Sequence, residues 1–161
     1  MKADILFLSK GDAARGPMAC ALLQKALGPA ATVASCGLLA GPLHPLAVQA
    51  MAECGLDIGG HRPRALRDLD GAEAKLCINL CFGEPGPTLA GRMRRLDWPT
   101  PDPRPGPPTE EATLARMRGT RELLTKRVRI LAQELLTADS GPGWSARLNV
   151  RLAVKIPSNA P

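Results

Sequence analysis

Aromatic side chains are nearly missing from this chain. Of 161 residues, Phe7, Phe82, Trp98 and Trp144 are the full set, and there is no tyrosine. Any core must therefore be aliphatic, assembled from Leu, Val, Ile, Ala and Met. Without basic–aromatic alternation or a Lys/Arg-rich block, nucleic-acid binding is not expected. Histidine is equally scarce: His44 and His61 lie far apart, and no cysteine pair shows ligand spacing, so neither a metal nor a cofactor is expected. No stretch approaches the roughly 18 apolar residues of a membrane helix, so no membrane partner is expected either. Met1-Lys2-Ala3-Asp4 runs straight into a strand-like segment too short for the apolar part of a signal peptide. Acidic residues stop at Asp139 while Arg147, Arg151 and Lys155 follow, so half of the net charge of +6 sits in the tail. The rest of the surface is only mildly basic. Cys20, Cys36, Cys54, Cys77 and Cys81 are odd in number and sit in apolar runs. They point to a reducing, cytoplasmic compartment in which most of these thiols act as small buried hydrophobes.

What is present suffices for one domain. A chain of this length buries a real core, and 45% hydrophobic against 22% charged residues excludes wholesale disorder. Residues 3–8 read as a buried strand, followed by a small polar stretch from Ser9 to Gly16. Pro17 then opens a helix carrying Met18, Leu22, Leu23, Ala26 and Leu27 at helical spacing, stopped by Gly28-Pro29. A second strand is expected over 32–36, a helix from Pro45 capped by Gly55, a short helix over 64–69, a third strand over 75–82 and a fourth over 92–96. Residues 99–108 contain six prolines and must form a loop. Thr109 then caps a long helix with Glu110 and Glu111 in its first turn and a stripe of Leu114, Met117, Leu124, Val128, Leu131 and Leu135. Glu122 and Lys126 are spaced as a helical ion pair. Alternating strands and helices predict an α/β domain over 1–139, a four-stranded parallel sheet with helices on both faces. The extension 140–161 is broken by Gly141-Pro142-Gly143, and residues 147–156 alternate with period two. That strand has two options: the edge of its own sheet, or a neighbouring molecule in a homodimer.

The stretch after the first strand carries the chemistry. A strand, a tight loop of small residues, an arginine and a helix N-terminus suit a tetrahedral oxyanion. Backbone amides converge on it, the helix dipole adds to them, and arginine clamps two oxygens. Lys10, Gly11, Asp12, Ala13, Ala14, Arg15 and Gly16 are the candidate oxyanion-binding residues, and phosphate, sulfate or arsenate the candidate ligands.

Residues 5–19, with Ser9, Gly11, Arg15, Pro17, Met18 and Ala19 in register, resemble the signature of the low-molecular-weight tyrosine phosphatases and thioredoxin-coupled arsenate reductases. That signature is Cys, five residues, Arg, then Ser or Thr, with Asn three residues after the Cys. His44-Pro45 with Ala47-Val48, Met51, Gly55-Leu56-Asp57-Ile58 and Gly60-His61-Arg62 resemble the arsenate-reductase branch's second helix and following turn. Trp98-Pro99 and Pro101-Asp102-Pro103 resemble its general-acid loop. The likeness runs over roughly 3–137 and implies that family's fold, with Ser9 at the nucleophile position, Arg15 as the oxyanion clamp and Asp102 as the acid.

Three departures fall in one loop. Ser9 stands where the resemblance places a thiol, and a serine hydroxyl is far less acidic than a thiol's roughly 8.5. Asp12 replaces the Asn, bringing a carboxylate that either repels an anion or pairs with Arg15. Gly16 replaces the hydroxyl residue. The relay cysteines also fail: Cys81 matches the first, but no cysteine lies near Thr88, and Cys77 is about 13 Å away on a strand. The expectation is a catalytically inactive or severely impaired homologue acting as a binding or regulatory module with a protein partner. The alternative is an active arsenate reductase or phosphatase with a non-standard nucleophile.

Overall fold

The computed structural model describes residues 3–69, 74–82 and 93–137. The boundary at 139, the strand predicted over 147–156 and the neighbourhood of Thr88 lie outside these. β1 (Ile5–Ser9) is buried along its whole length and occupies the middle of the sheet. Such a strand reads as a continuous apolar run rather than an alternation because both its faces are covered. β2 (Val33–Gly37) pairs with it on one side, β3 (Leu76–Asn79) on the other, and β4 (Arg94–Asp97) continues from β3. All three pairings are parallel, in the order β2-β1-β3-β4.

Alternate residues divide the core. Ile5, Phe7, Leu76 and Ile78 face α1 (Arg15–Leu27), α2 (Pro45–Ala52) and α3 (Glu110–Thr137). Leu6, Leu8, Cys36 and Cys77 face the other way, against Leu69 and the 3-10 turn Leu66–Asp68 that stands where a short helix was predicted. The aliphatic expectation holds, and Trp98 packs as a ring against Phe7, centroid to centroid 6.0 Å. In α3 the predicted stripe is buried at Leu114, Met117, Leu124, Val128 and Leu131, with Leu135 half-buried. Thr109 Oγ1 accepts the amide of Ala112 at 3.3 Å, as its capping role requires. Glu122 and Lys126 make no ion pair among the described residues.

Differences from the predicted limits have local causes. α1 begins at Arg15, two residues before Pro17, because amides of a helix's first turn have no helical acceptor and proline fits there without loss. β3 stops at Asn79 rather than 82 because the Asn79 side chain takes over the bonding. Its Oδ1 accepts the amide of Cys81 at 3.1 Å, and its Nδ2 donates to Asp97 Oδ1 at 2.8 Å. The chain thereby leaves the sheet where β1 also ends. The loops after β1, β3 and β4 converge at this carboxyl edge, the usual place for a ligand in an open α/β sheet.

α2 and α3 are joined at their solvent side by Glu53, which accepts from Arg118 Nη2 at 2.6 Å and Arg121 Nη1 at 3.0 Å. Hydrogen bonding from Arg118, then from Arg121, outweighs the cost of burial and holds the Glu53 carboxyl at about 2, against an ordinary 4.5. A carboxyl depressed in the folded state stabilises above its unfolded value and loses that contribution as pH falls through its folded one. Thermal melts of Glu53→Gln should therefore lose part of the wild-type decline between pH 4.5 and 2. The pair is exposed, so the effect is small and salt-sensitive. Parallel curves for the two proteins would refute the assignment.

Candidate active site

The loop that follows β1 is gripped from outside by its carbonyls. Those of Ser9, Lys10, Gly11 and Ala13 accept amides from Leu38 at 2.9 Å, Leu39 at 3.1 Å, Gly41 at 2.9 Å and His44 at 2.8 Å. Gly37 permits this approach: a Cβ there would lie 2.7 Å from the Asp12 nitrogen and 2.8 Å from the Gly11 carbonyl carbon. The amides of Gly11, Ala13 and Ala14 have no acceptor among the described residues. Ser9, Gly11, Ala13, Ala14, Arg15, Asp102 and Arg104 line a cleft of about 180 Å³, counted out to open solvent. A cleft lined by residues with unsatisfied amides at a helix N-terminus suits an anion.

Ser9 lies at the end of β1, 2% exposed, and its Oγ accepts the amide of Asp12 at 3.2 Å. Among the described residues no histidine nitrogen bonds to it. Arg15 is almost as buried. Its Nη1 donates to the carbonyls of Leu80 at 3.1 Å and Thr100 at 2.6 Å, and its Nη2 lies 3.6 Å from Asp102 Oδ2. Burial lowers the Arg15 guanidinium from its ordinary value while Asp102 opposes that, and an arginine stays charged regardless.

Asp12 does not make the ion pair with Arg15 that the sequence offers as one option. Its side chain is fully buried beneath the loop and does not pair with Arg15. Oδ2 instead meets His61 Nε2 at 2.9 Å and accepts the amide of Arg64 at 3.2 Å. Oδ1 has no partner among the described residues and is directed at Gly16. A Cβ on that glycine would sit 2.5 Å from Asp12 Oδ1 and 3.2 Å from Ser9 Oγ. The Asp12 carboxylate and the glycine at 16 are thus one packing solution in two places. Lys10 is exposed at the rim.

Asp102 shares the cleft with Ser9 and Arg15. Burial pushes its carboxyl up, but hydrogen bonds from the Arg104 side chain and amide, with the charges of Arg15 and Arg104, outweigh this and hold it below the usual carboxylate range. Arg104 Nε approaches Oδ1 at 2.9 Å, and Nη2 closes on Oδ2. Asp102 is thus held as the shared partner of Arg15 and Arg104.

Three of the thiols are shifted upward by burial. Burial pushes Cys36 and Cys77 up to about 12 and Cys20 to about 11. Cys81 is buried past the end of β3, near enough to Arg15 for their charges to interact. Cys20, Cys36, Cys54 and Cys77 are free thiols. Among the described residues, no group of three or more His, Cys, Asp or Glu is arranged to hold a metal ion, and no helix is long and apolar enough to cross a membrane.

Two site residues carry little signal in the sequence: His61 matches the family's turn after the second helix, and Arg104 sits inside the proline-rich loop. The available signal for Arg104 was its place two residues after Asp102, where a side chain can reach back to the carboxylate.

Relatives carry the same arrangement of elements. An arsenate reductase of Halalkalibacterium halodurans is 31% identical over 134 residues, 82% of this chain and 96% of the relative. A solved arsenate reductase in its phosphate-binding state superposes with a TM-score of 0.67 at 25% identity, covering 83% of this chain and 97% of that one. A mutant of the YwlE arginine phosphatase with a phosphorylated active-site serine gives 0.66 at 24%, covering 86% and 97%. The family model for the low molecular weight phosphotyrosine protein phosphatases matches residues 4–138, nearly the whole described domain. By sequence and by fold, this chain belongs to that family.

Proposed function

We propose that this chain is an oxyanion-binding member of its family that does not turn its ligand over, and that it works as a binding or regulatory module toward a protein partner in the cytoplasm. The observation that carries this reading is Ser9, a hydroxyl held by the Asp12 amide at the base of an otherwise open cradle. The cradle favours an anion there by electrostatics alone, which ionises a thiol but leaves a serine hydroxyl protonated at neutral pH. Asp102, the acid implied by the resemblance, is held below the usual carboxylate range by its arginine partners. The relative in its phosphate-binding state supports phosphate as the ligand class.

The direct test is hydrolysis of an aryl phosphate by the wild-type chain. The expected rate is that of buffer, unchanged by Ser9→Ala. Turnover well above buffer that disappears in Ser9→Ala would overturn the reading.

A second reading, slow phosphoryl transfer to Ser9, has one observation on its side. Asp12 Oδ1 is buried without a partner, and the point 2.5 Å from it at Gly16 is 3.2 Å from Ser9 Oγ. A carboxylate so placed is a potential proton acceptor. Intact mass after incubation with acetyl phosphate distinguishes the two, since only this reading gives a phosphoryl adduct that Ser9→Ala removes.

Ligand affinity carries a further expectation. Asp102 competes with any incoming anion for Arg15 and Arg104, so Asp102→Asn should tighten inorganic phosphate about tenfold in calorimetric titration. Equal or weaker binding would show that Asp102 does not oppose the anion.

A further inference from the structure

Arg104 brings a second guanidinium into the cleft. Its Nε and Nη2 hold Asp102. Nη1 lies on the other side, over Gly11, 3.8 Å from the point that a Cβ on that glycine would occupy. It meets no acceptor among the described residues. Gly11 has no side chain to stand between this nitrogen and the cradle, and both residues line the same cleft. No aromatic side chain does so among the described residues, so a phenyl ring entering behind a phosphoryl group has no flat face to stack on.

From this geometry we infer that the cleft selects a small phosphorylated ligand with a second anionic group, the phosphoryl resting on the loop amides and Arg15 and the second group on Arg104. The second group is a carboxylate or another phosphoryl, which a planar guanidinium matches better than an ammonium does. This inference rests on the oxyanion-binding reading above and adds the ligand's chemical class to it. The local charge is consistent with it. Two guanidinium groups share one carboxylate, Asp102, and Lys10 adds an exposed positive charge at the rim. A ligand with a single phosphoryl group leaves Arg104 with Asp102 as its sole anionic partner. One with a carboxylate close to its phosphorus reaches both arginines.

The test compares two phosphate monoesters of similar headgroup and different tails, phosphoglycolate and phenyl phosphate, by calorimetric titration at fixed ionic strength. Wild-type protein should bind phosphoglycolate about tenfold more tightly, the increment of one charge-assisted hydrogen-bonded pair. Arg104→Met should bring the ratio close to one, and Arg104→Lys should retain part of the preference. Circular dichroism of both variants checks that they fold, and the lysine variant keeps the proposal testable if the methionine variant does not. Equal wild-type affinities, or a ratio that survives Arg104→Met, would overturn the ligand class while leaving oxyanion binding intact. If neither ester nor inorganic phosphate binds, the reading beneath it falls and takes this inference with it.

Discussion

Ser9→Cys combined with Asp12→Asn and Gly16→Ser is expected to raise aryl phosphate hydrolysis at least about a thousandfold above the wild-type rate. The argument depends on treating the three positions together. A thiol alone at position 9 would lie next to a buried carboxylate that suppresses its ionisation. The effect already reaches more distant thiols: after burial, the charge of Asp12 is the next cause raising both Cys20 and Cys36. Ser9→Cys by itself should therefore gain far less than the triple variant. Gly16→Ser alone would drive a Cβ to 2.5 Å from Asp12 Oδ1, an overpacking worth about 1–3 kcal/mol. With Asn at 12, the amide can turn its NH2 toward the new hydroxyl, and the crowding becomes a hydrogen bond. The measurements are p-nitrophenyl phosphate turnover and the pH dependence of thiol alkylation. Alkylation should show the thiol pKa falling from single to triple variant. A folded triple variant still at the buffer rate would mean that the scaffold, and not the three residues, has lost catalysis.

His61→Ala is expected to destabilise the protein by about 3 kcal/mol, because it leaves the Asp12 carboxylate in the interior with the Arg64 amide as its remaining donor. Buried charges deprived of a partner are among the few single changes that cost this much. Asp12→Asn removes the charge, so the double variant should recover most of the loss, with a coupling near the size of the single effect. Urea midpoints of the four proteins give the cycle. A cost below about 1 kcal/mol for His61→Ala would show that the 2.9 Å contact is not what keeps Asp12 buried.

The sheet, the order of its elements and the loop after β1 were legible in the sequence because each depends on neighbours a few residues apart. Buried β1 is a run of apolar residues, α3 a stripe, and the loop after β1 a contiguous stretch from Ser9 to Gly16. The pairings that decide the loop's electrostatics join distant segments. Asp12 finds His61, 49 residues on, and Arg15 finds Thr100, 85 residues on. Both contacts arise where loops from different strands meet at the carboxyl edge of the sheet. The sequence places Asp12 near an anion and offers Arg15, in the same loop, as its partner. Direction overruled proximity: Asp12 takes a left-handed backbone, φ +48°, with its carboxylate buried beneath the loop, while Arg15 extends to the loops after β3 and β4. Arg104 was hidden for a different reason. Proline-rich segments are read by their backbone, and the side chains they carry receive little notice.

That left-handed turn at Asp12 also narrows what the position can become. Asp, Asn and Gly tolerate such a conformation, whereas branched or bulky residues do not. A full substitution library at position 12 should therefore return well-folded proteins chiefly with those three. Two of them differ by a single negative charge at nearly constant shape, so the loop can be retuned between repelling and welcoming an anion without being rebuilt.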